Sequence, residues 1–268
     1  MMLYLFEYVG CFAFLLVFGY LIPAGHYYWR FHLRRRPENE KYRIQHRAIP
    51  DGQIIREVKL SLVTIAIFAV GAVTLIELYK AGHTSIIYWE RVWQNPLWVM
   101  VSFVLCFALH DTYFYWTHRL MHWRPLFKYT HLGHHRSVSP TPWAIFAFQP
   151  GEAVIQMIGI MLLVIFLPLH PLTLLAFLAI DTEVNCAGHC GYEVVPRFIS
   201  DCFLFRGFST VTHHDRHHTH MSKNFGSFFN VWDRIMGTFL DDATPARTAE
   251  QSAPVMGHMH GRRPVKAA

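Results

Sequence analysis

Histidines concentrate in four short stretches of this chain, with the spacing of metal ligands. Two stretches share the pattern His-x-x-His-His, at 131–135 and 214–218. A third, at 118–122, has histidines four residues apart, which on a helix face the same side with Cβ atoms about 5–6 Å apart. His189 lies in the fourth, NCAGHCGYE. Imidazole binds Zn, Cu, Fe and Ni, so this spacing predicts a metal site without choosing the metal.

The predicted ligand set is too large for a single tetrahedral structural zinc. It suits two ions with about five or six positions each, which leaves room for water or oxygen. His213 and His220 fall outside the repeated spacing and are not predicted ligands. The predicted ligands are His118, His122, His131, His134, His135, His189, His214, His217 and His218.

Three other polar side chains are predicted to assist this site. Asp111 and Tyr115 continue the helical stripe of the first histidine pair, and Asn185 stands four residues before His189. A carboxylate at 111 would accept the second imidazole N–H of a ligand and so fix its tautomer. The alternative for Asp111 is a helix-end residue at the membrane interface.

The helices that carry these residues are predicted to lie in a membrane. The 268-residue chain is 53% hydrophobic and 16% charged, and a helix needs about 20 apolar residues to cross a bilayer. The apolar runs are 3–22, 60–79, 97–109, 153–169 and 172–180. The third is long enough if its helix continues through HDTYFYW, and the last two form a hairpin that turns at PLHP. We therefore predict an all-α integral membrane protein with about four to five membrane helices, against the alternative of buried helices in a soluble protein.

The basic residues predict how these helices are oriented. Segment 30–47 carries seven Lys and Arg residues, and short basic loops stay on the cytoplasmic side. The N-terminus and 80–95 are then outside, and 118–150 and 188–268 are inside, so the histidine stretches meet on the cytoplasmic face. The net charge of +6 needs no nucleic acid partner to explain it.

Together, the motifs resemble those of the membrane fatty acid hydroxylase/sterol desaturase superfamily. The resemblance runs in order through DTYFYWTHRLMH, HLGHH, NCAGHCGYE, HHDRHH and NFGSFFNVWDRIMGTF, over roughly 110–240. It implies a non-haem di-iron centre under a small cytosolic helical cap, with the nine histidines as ligands. Some members have a histidine pair in the third motif, where this chain has Asn185 in the earlier position.

The resemblance also suggests a division of the chain into three parts. Residues 1–57 form an N-terminal membrane anchor and a basic cytosolic loop, and 58–242 form a fatty acid hydroxylase-like di-iron domain. Residues 243–268 are polar and rich in Ala and Pro, a composition typical of disordered tails.

The function implied is hydroxylation of an unactivated C–H bond of a membrane lipid, such as a fatty acyl chain or a sterol, with O₂. A lipid desaturase or sterol methyl oxidase is the alternative within the same chemistry, and a metal-binding membrane transporter is the alternative outside it. The sequence has no haem, flavin or iron–sulfur motif, so we expect a separate electron donor of the ferredoxin or cytochrome type. Zinc, which also binds imidazole, is expected to replace the iron on overexpression.

Overall fold

The described part of the chain is helical. The computed structural model describes residues 2–86, 95–200, 202–203 and 205–241, and within them two isolated β-bridges stand in place of strands. The predicted all-α membrane fold is confirmed, because three of the described helices are long and apolar enough to cross a bilayer. The predicted disordered tail at 243–268 lies outside the described residues.

The three long helices account for the first three apolar runs. They are α1 (Met2–Leu33), α2 (Gln53–Lys80) and α3 (Pro96–Met121), and α1 includes π-helical turns at Leu15–Leu21 and Trp29–Leu33. The third run continues through HDTYFYW as one helix, as predicted. At about 1.5 Å per residue, α3 is long enough to cross the bilayer and to carry its last turn beyond the hydrocarbon.

The remaining helices are shorter. They are α4 (Arg124–Thr130), α5 (Leu132–His135), α6 (Pro150–Phe166), α7 (Pro171–Gly188), α8 (Arg197–Ser200), α9 (Val211–Thr219) and α10 (Val231–Ile235). Helices α6 and α7 form the predicted hairpin, in which His170 accepts the Leu172 N–H at 3.2 Å and caps α7. At 17 residues α6 is shorter than a typical span, so the number of spans beyond three stays a prediction.

Close packing joins the long helices to this hairpin. Helix α6 packs against both α2 and α3, and α7 packs against α3. Gly159 of α6 faces the ring of Tyr113 on α3, and a Cβ at that position would lie 2.7 Å from the ring. A glycine is therefore required at this contact, which holds α3 beside the hairpin.

The segment between α1 and α2 packs against the histidine-bearing part of the chain. The N–H groups of Ile44 and Gln45 donate to the carbonyl of Gly191 at 3.0 and 3.2 Å. Arg47 pairs with Asp215 of α9 at 3.1 Å and donates to Ser139 at the same distance. The boundary predicted between 57 and 58 falls inside α2, and the division of the chain into domains stays a prediction.

We expect Arg47→Met to destabilise the protein. Asp215 is completely buried and the Arg47 side chain is 18% exposed, and removing one partner of a buried ion pair costs about 3–5 kcal/mol, with the lower end applying to a partly exposed partner. The thermal unfolding midpoint of the detergent-solubilised protein measures the loss. Arg36→Met is the matched control, since Arg36 pairs with an exposed Glu38 at 3.6 Å and surface pairs contribute about 0–1 kcal/mol. Equal midpoints for the two variants would contradict the structural role of Arg47.

Reporter fusions test the predicted orientation. Fusions after residues 50 and 140 should read cytoplasmic and a fusion after His83 should read external, because the basic segment 30–47 is expected to stay inside. These positions lie before α2, beyond α5 and just after α2, respectively. A cytoplasmic reading at 83 would show that α2 does not cross the membrane.

Candidate metal centre

Four separate elements bring the predicted ligands together. The end of α3 carries His118 and His122, α5 with the residue before it carries 131–135, His189 follows the end of α7, and α9 carries 214–218. Their ring nitrogens form two adjoining groups. The first group is His118, His122, His131, His135 and His217, with all ligand atoms within 4.8 Å of one another. The second is His134, His189, His214 and His218, within the same limit.

The two His-x-x-His-His motifs are divided between the groups in a reciprocal way. In the first motif His131 and His135 belong to the first group, and His134 belongs to the second. In the other motif His214 and His218 belong to the second group, and His217 belongs to the first. Rings from the two groups lie side by side, with 5.0 Å between the centroids of His135 and His218. Each motif therefore contributes to both groups and holds them next to each other.

Backbone carbonyls fix the tautomers of three rings. The Nδ1 atom of His118 lies 2.8 Å from the carbonyl of Phe225, that of His217 lies 2.6 Å from Lys223, and that of His189 lies 2.7 Å from Asn185. A carbonyl only accepts hydrogen bonds, so Nδ1 carries the proton in each ring and the lone pair is on Nε2.

The Nε2 atoms approach one another closely. The distance is 2.8 Å between His118 and His131, 3.0 Å between His135 and His217, and 3.1 Å between His189 and His214. In the first pair both Nδ1 atoms face acceptors, so the two Nε2 lone pairs face each other and repel unless a cation lies between them. Imidazoles bound to one ion at about 2.0–2.1 Å have nitrogens about 3 Å apart, so the residues present fit metal ions.

Burial keeps the rings neutral. It lowers the pKa of His131, His134 and His135 well below the ordinary value, and the neighbouring imidazoles lower these pKa values further. It lowers the pKa of His189 to about 4. A neutral imidazole keeps the lone pair that a metal requires, so the electrostatics of the site favour ligation at neutral pH.

Glu152 is a member of the site that the sequence analysis missed. It lies in the first turn of α6, is buried, and places Oε1 2.7 Å from Nδ1 of His131. A carboxylate in this position orients a ligand ring and raises its basicity. In the sequence, Glu152 is an acidic residue at the edge of an apolar run. Such a residue is equally typical of the first turn of a helix, so the sequence did not mark it as part of the site.

Asp111 differs from the expectation. Its Oδ1 accepts the backbone N–H groups of residues 227–229 at 2.7–3.2 Å, where an imidazole N–H was predicted. Asp233 accepts the N–H of Phe225 at 2.9 Å in the same loop, and the carbonyl of Phe225 holds His118. Asp111 therefore contacts the backbone of the 225–229 loop, and this loop in turn contacts His118.

The other two assisting residues also make contacts outside the ligand groups. The Tyr115 hydroxyl lies 3.0 Å from Oγ1 of Thr238 and accepts from Arg119 at 3.2 Å. The Asn185 side-chain amide donates to the backbone carbonyl of Asp181 at 2.9 Å. Asn185 therefore contacts a ligand ring only through its backbone carbonyl, which faces Nδ1 of His189. Whether either residue contributes to catalysis stays a prediction.

The two remaining histidines of the last stretch, His213 and His220, lie outside both groups. His213 forms a capping box at the start of α9, in which its Nδ1 accepts the Thr210 N–H at 3.0 Å. His220 follows α9, with Nδ1 3.0 Å from the hydroxyl of Thr219. Only the His213 ring caps the helix that carries the last three ligands.

A cavity of about 710 Å³ borders the first group at His122. Its lining includes Arg119, Trp123 and Lys223, and also Phe225, whose carbonyl orients His118. The cavity gives the first group an approach from the side of the molecule where α3 ends.

Comparison with known proteins agrees with this geometry. The model of the family described as "Fatty acid hydroxylase" matches residues 103–238, about half of the chain. A lathosterol oxidase from Rattus norvegicus is 27% identical over 73% of this chain and 64% of its own length. A Delta(7)-sterol 5(6)-desaturase from Gibberella zeae is 28% identical over 82% of this chain and 64% of its own length. A methylsterol monooxygenase from Aspergillus fumigatus is 31% identical over 55% of this chain and 50% of its own length.

The matches to these relatives span less than two thirds of their length, and no solved structure matches the chain significantly. The family match begins in α3 and ends just after α10, and therefore includes all nine clustered histidines. The chain belongs to the fatty acid hydroxylase family, part of the fatty acid hydroxylase/sterol desaturase superfamily.

Proposed function

We propose that this protein is a membrane-bound, O₂-dependent oxidoreductase that hydroxylates an unactivated C–H bond of a lipid. Its nine clustered histidines would hold two iron ions, one in each group. The observation that carries the proposal is the set of neutral imidazoles whose Nε2 atoms lie 2.8–3.1 Å apart in two adjoining groups. Family membership and relatives named as sterol oxidases and monooxygenases support it.

The chain's own residues hold the ligand rings and control access to them. Carbonyls of Phe225, Lys223 and Asn185 fix three ring orientations, and Glu152 orients a fourth. Burial of most of the histidines excludes bulk water, which protects a reactive oxidant from side reactions. The three long apolar helices keep this site at a membrane, where a lipid is available without crossing water.

Bound iron would pass electrons to O₂ and so supply the oxidant that attacks a C–H bond. Hydroxylation balances when the lipid, O₂, two electrons and two protons give an alcohol and water. The electrons come from a separate donor of the ferredoxin or cytochrome type. The metal centre faces the cytoplasm in this proposal, where such donors are reduced.

Desaturation is the second candidate. It removes two hydrogens from adjacent carbons and releases two waters for the same O₂, electrons and protons. The name of one relative, a Delta(7)-sterol 5(6)-desaturase, favours it. A metal-binding transporter, the remaining alternative, would bind metal without consuming O₂.

Comparison of lipid extracts from cells with and without the gene tests the proposed reaction. We expect a lipid that gains the mass of one oxygen and that carries ¹⁸O after growth under ¹⁸O₂. A loss of two hydrogens without ¹⁸O would establish desaturation in its place. No O₂-dependent lipid difference, with metal bound to the protein, would favour the transporter alternative.

Ligand substitutions test the metal assignment. His217→Ala should abolish product formation and lower metal content below about two ions per chain, because Nε2 of His217 lies in the first group. His220→Ala is the matched control and should retain most activity and metal, because His220 lies outside both groups. Elemental analysis and product formation are compared at equal amounts of folded protein after anaerobic Fe(II) loading. Full metal and activity in His217→Ala would refute its role as a ligand.

A further inference from the structure

A second cavity lies between α3 and α6, inside the apolar part of the molecule. It has a volume of about 310 Å³, and its walls include Leu109, His110, Tyr113, Gly159 and Phe166. Leu109 and Phe166 are 47% and 74% exposed, so the cavity opens sideways toward the hydrocarbon of the bilayer. None of the nine clustered histidines lines it.

His110 is the unusual residue in this wall. The residue is only 6% exposed, and its Nδ1 is buried without a hydrogen-bond partner among the described residues. Rings of Phe177, Phe228 and Phe114 surround it, with centroids 5.3, 5.8 and 6.1 Å away. By contrast, the Tyr113 hydroxyl in the same wall donates to the carbonyl of Ile155 at 2.7 Å.

An imidazole without a partner is unfavourable in an apolar environment. Buried polar groups are nearly always hydrogen-bonded, and ionisable residues within membrane helices generally mark a functional site. His110 sits two turns before His118 on α3 and outside the ligand groups, so ligation does not explain it. Its ring lines the cavity, which leaves a bound molecule as its partner.

The chemistry of the lining limits what that molecule is. An acyl chain would fill the space but leave the imidazole unsatisfied, and a charged headgroup would lack a compensating charge among the lining residues. An uncharged hydroxyl suits either tautomer of the ring, because it both donates and accepts. The volume is at the lower end of the range of about 300–1,000 Å³ for small-molecule pockets, enough for the hydroxyl end of a lipid whose remainder lies in the bilayer.

We propose that the cavity between α3 and α6 binds the hydroxyl end of a membrane lipid alcohol, with His110 as its hydrogen-bond partner. This site is separate from the metal centre, and it stands whether or not the proposed oxidation does.

Photolabelling of the purified full-length protein in phosphatidylcholine nanodiscs tests the proposal. The probes are a long-chain alcohol that carries a diazirine and the matching alkane, with a diazirine sterol in a second arm to distinguish the two sources of hydroxyl. The alcohol should label peptides that contain 109–113 or 159–167 about 3–10-fold more than the alkane, the preference that one net hydrogen bond provides.

Two substitutions in the α3 wall of the cavity and one control outside it make the test specific. His110→Phe should reduce alcohol labelling to the level of the alkane, while His83→Phe, the same change at an exposed position, should leave the preference intact. Leu109→Trp keeps the imidazole, fills the mouth of the cavity and should reduce labelling by both probes. Equal labelling by alcohol and alkane in the unmodified protein, or an unchanged preference in His110→Phe, would overturn the proposal. The readout is binding without turnover, so an inactive metal centre does not affect it.

Discussion

The close approach of imidazole nitrogens in the two ligand groups is the constraint on which the rest of the structure depends. Pairs of Nε2 atoms lie about 3 Å apart, with the proton of at least three rings held on Nδ1. Such an arrangement is stable only when the protein holds it rigidly and a cation compensates for it. The elements around the two groups therefore have to supply stiffness, and many of the polar contacts in the molecule do so.

The stiffness comes from carboxylates that bind other groups of the protein instead of metal. Asp111 and Asp233 together hold the N–H groups of the loop at 225–229, and that loop orients His118 through a carbonyl. Asp215, between two ligands of α9, is held by Arg47 from the segment before α2. Buried carboxylates near a metal centre thus need not be ligands, since acceptors of this strength can order the peptide segments that position the ligands.

The apolar helices impose a second constraint, on the hydrogen bonding of buried polar groups. They place a polar centre beside hydrocarbon, so every buried polar group near it needs a partner within the protein. Glu57 of α2 accepts hydrogen bonds from Gln53 and Thr141, and hydroxyls along α3 bond to carbonyls one turn earlier.

The sequence by itself determined the membrane class, the continuous third helix, the hairpin and the nine clustered histidines. Apolar length and residue spacing are local properties, and a helix converts a separation of four residues into a shared face. Tertiary structure decided how the ligands are divided, because reciprocal sharing of the two His-x-x-His-His motifs depends on how α5 and α9 approach each other. It also decided the partners of Asp111, Arg47 and Glu152, which lie far from their contacts in sequence. A side chain's type states what it can bind, and only the packing of distant elements decides which group comes within reach.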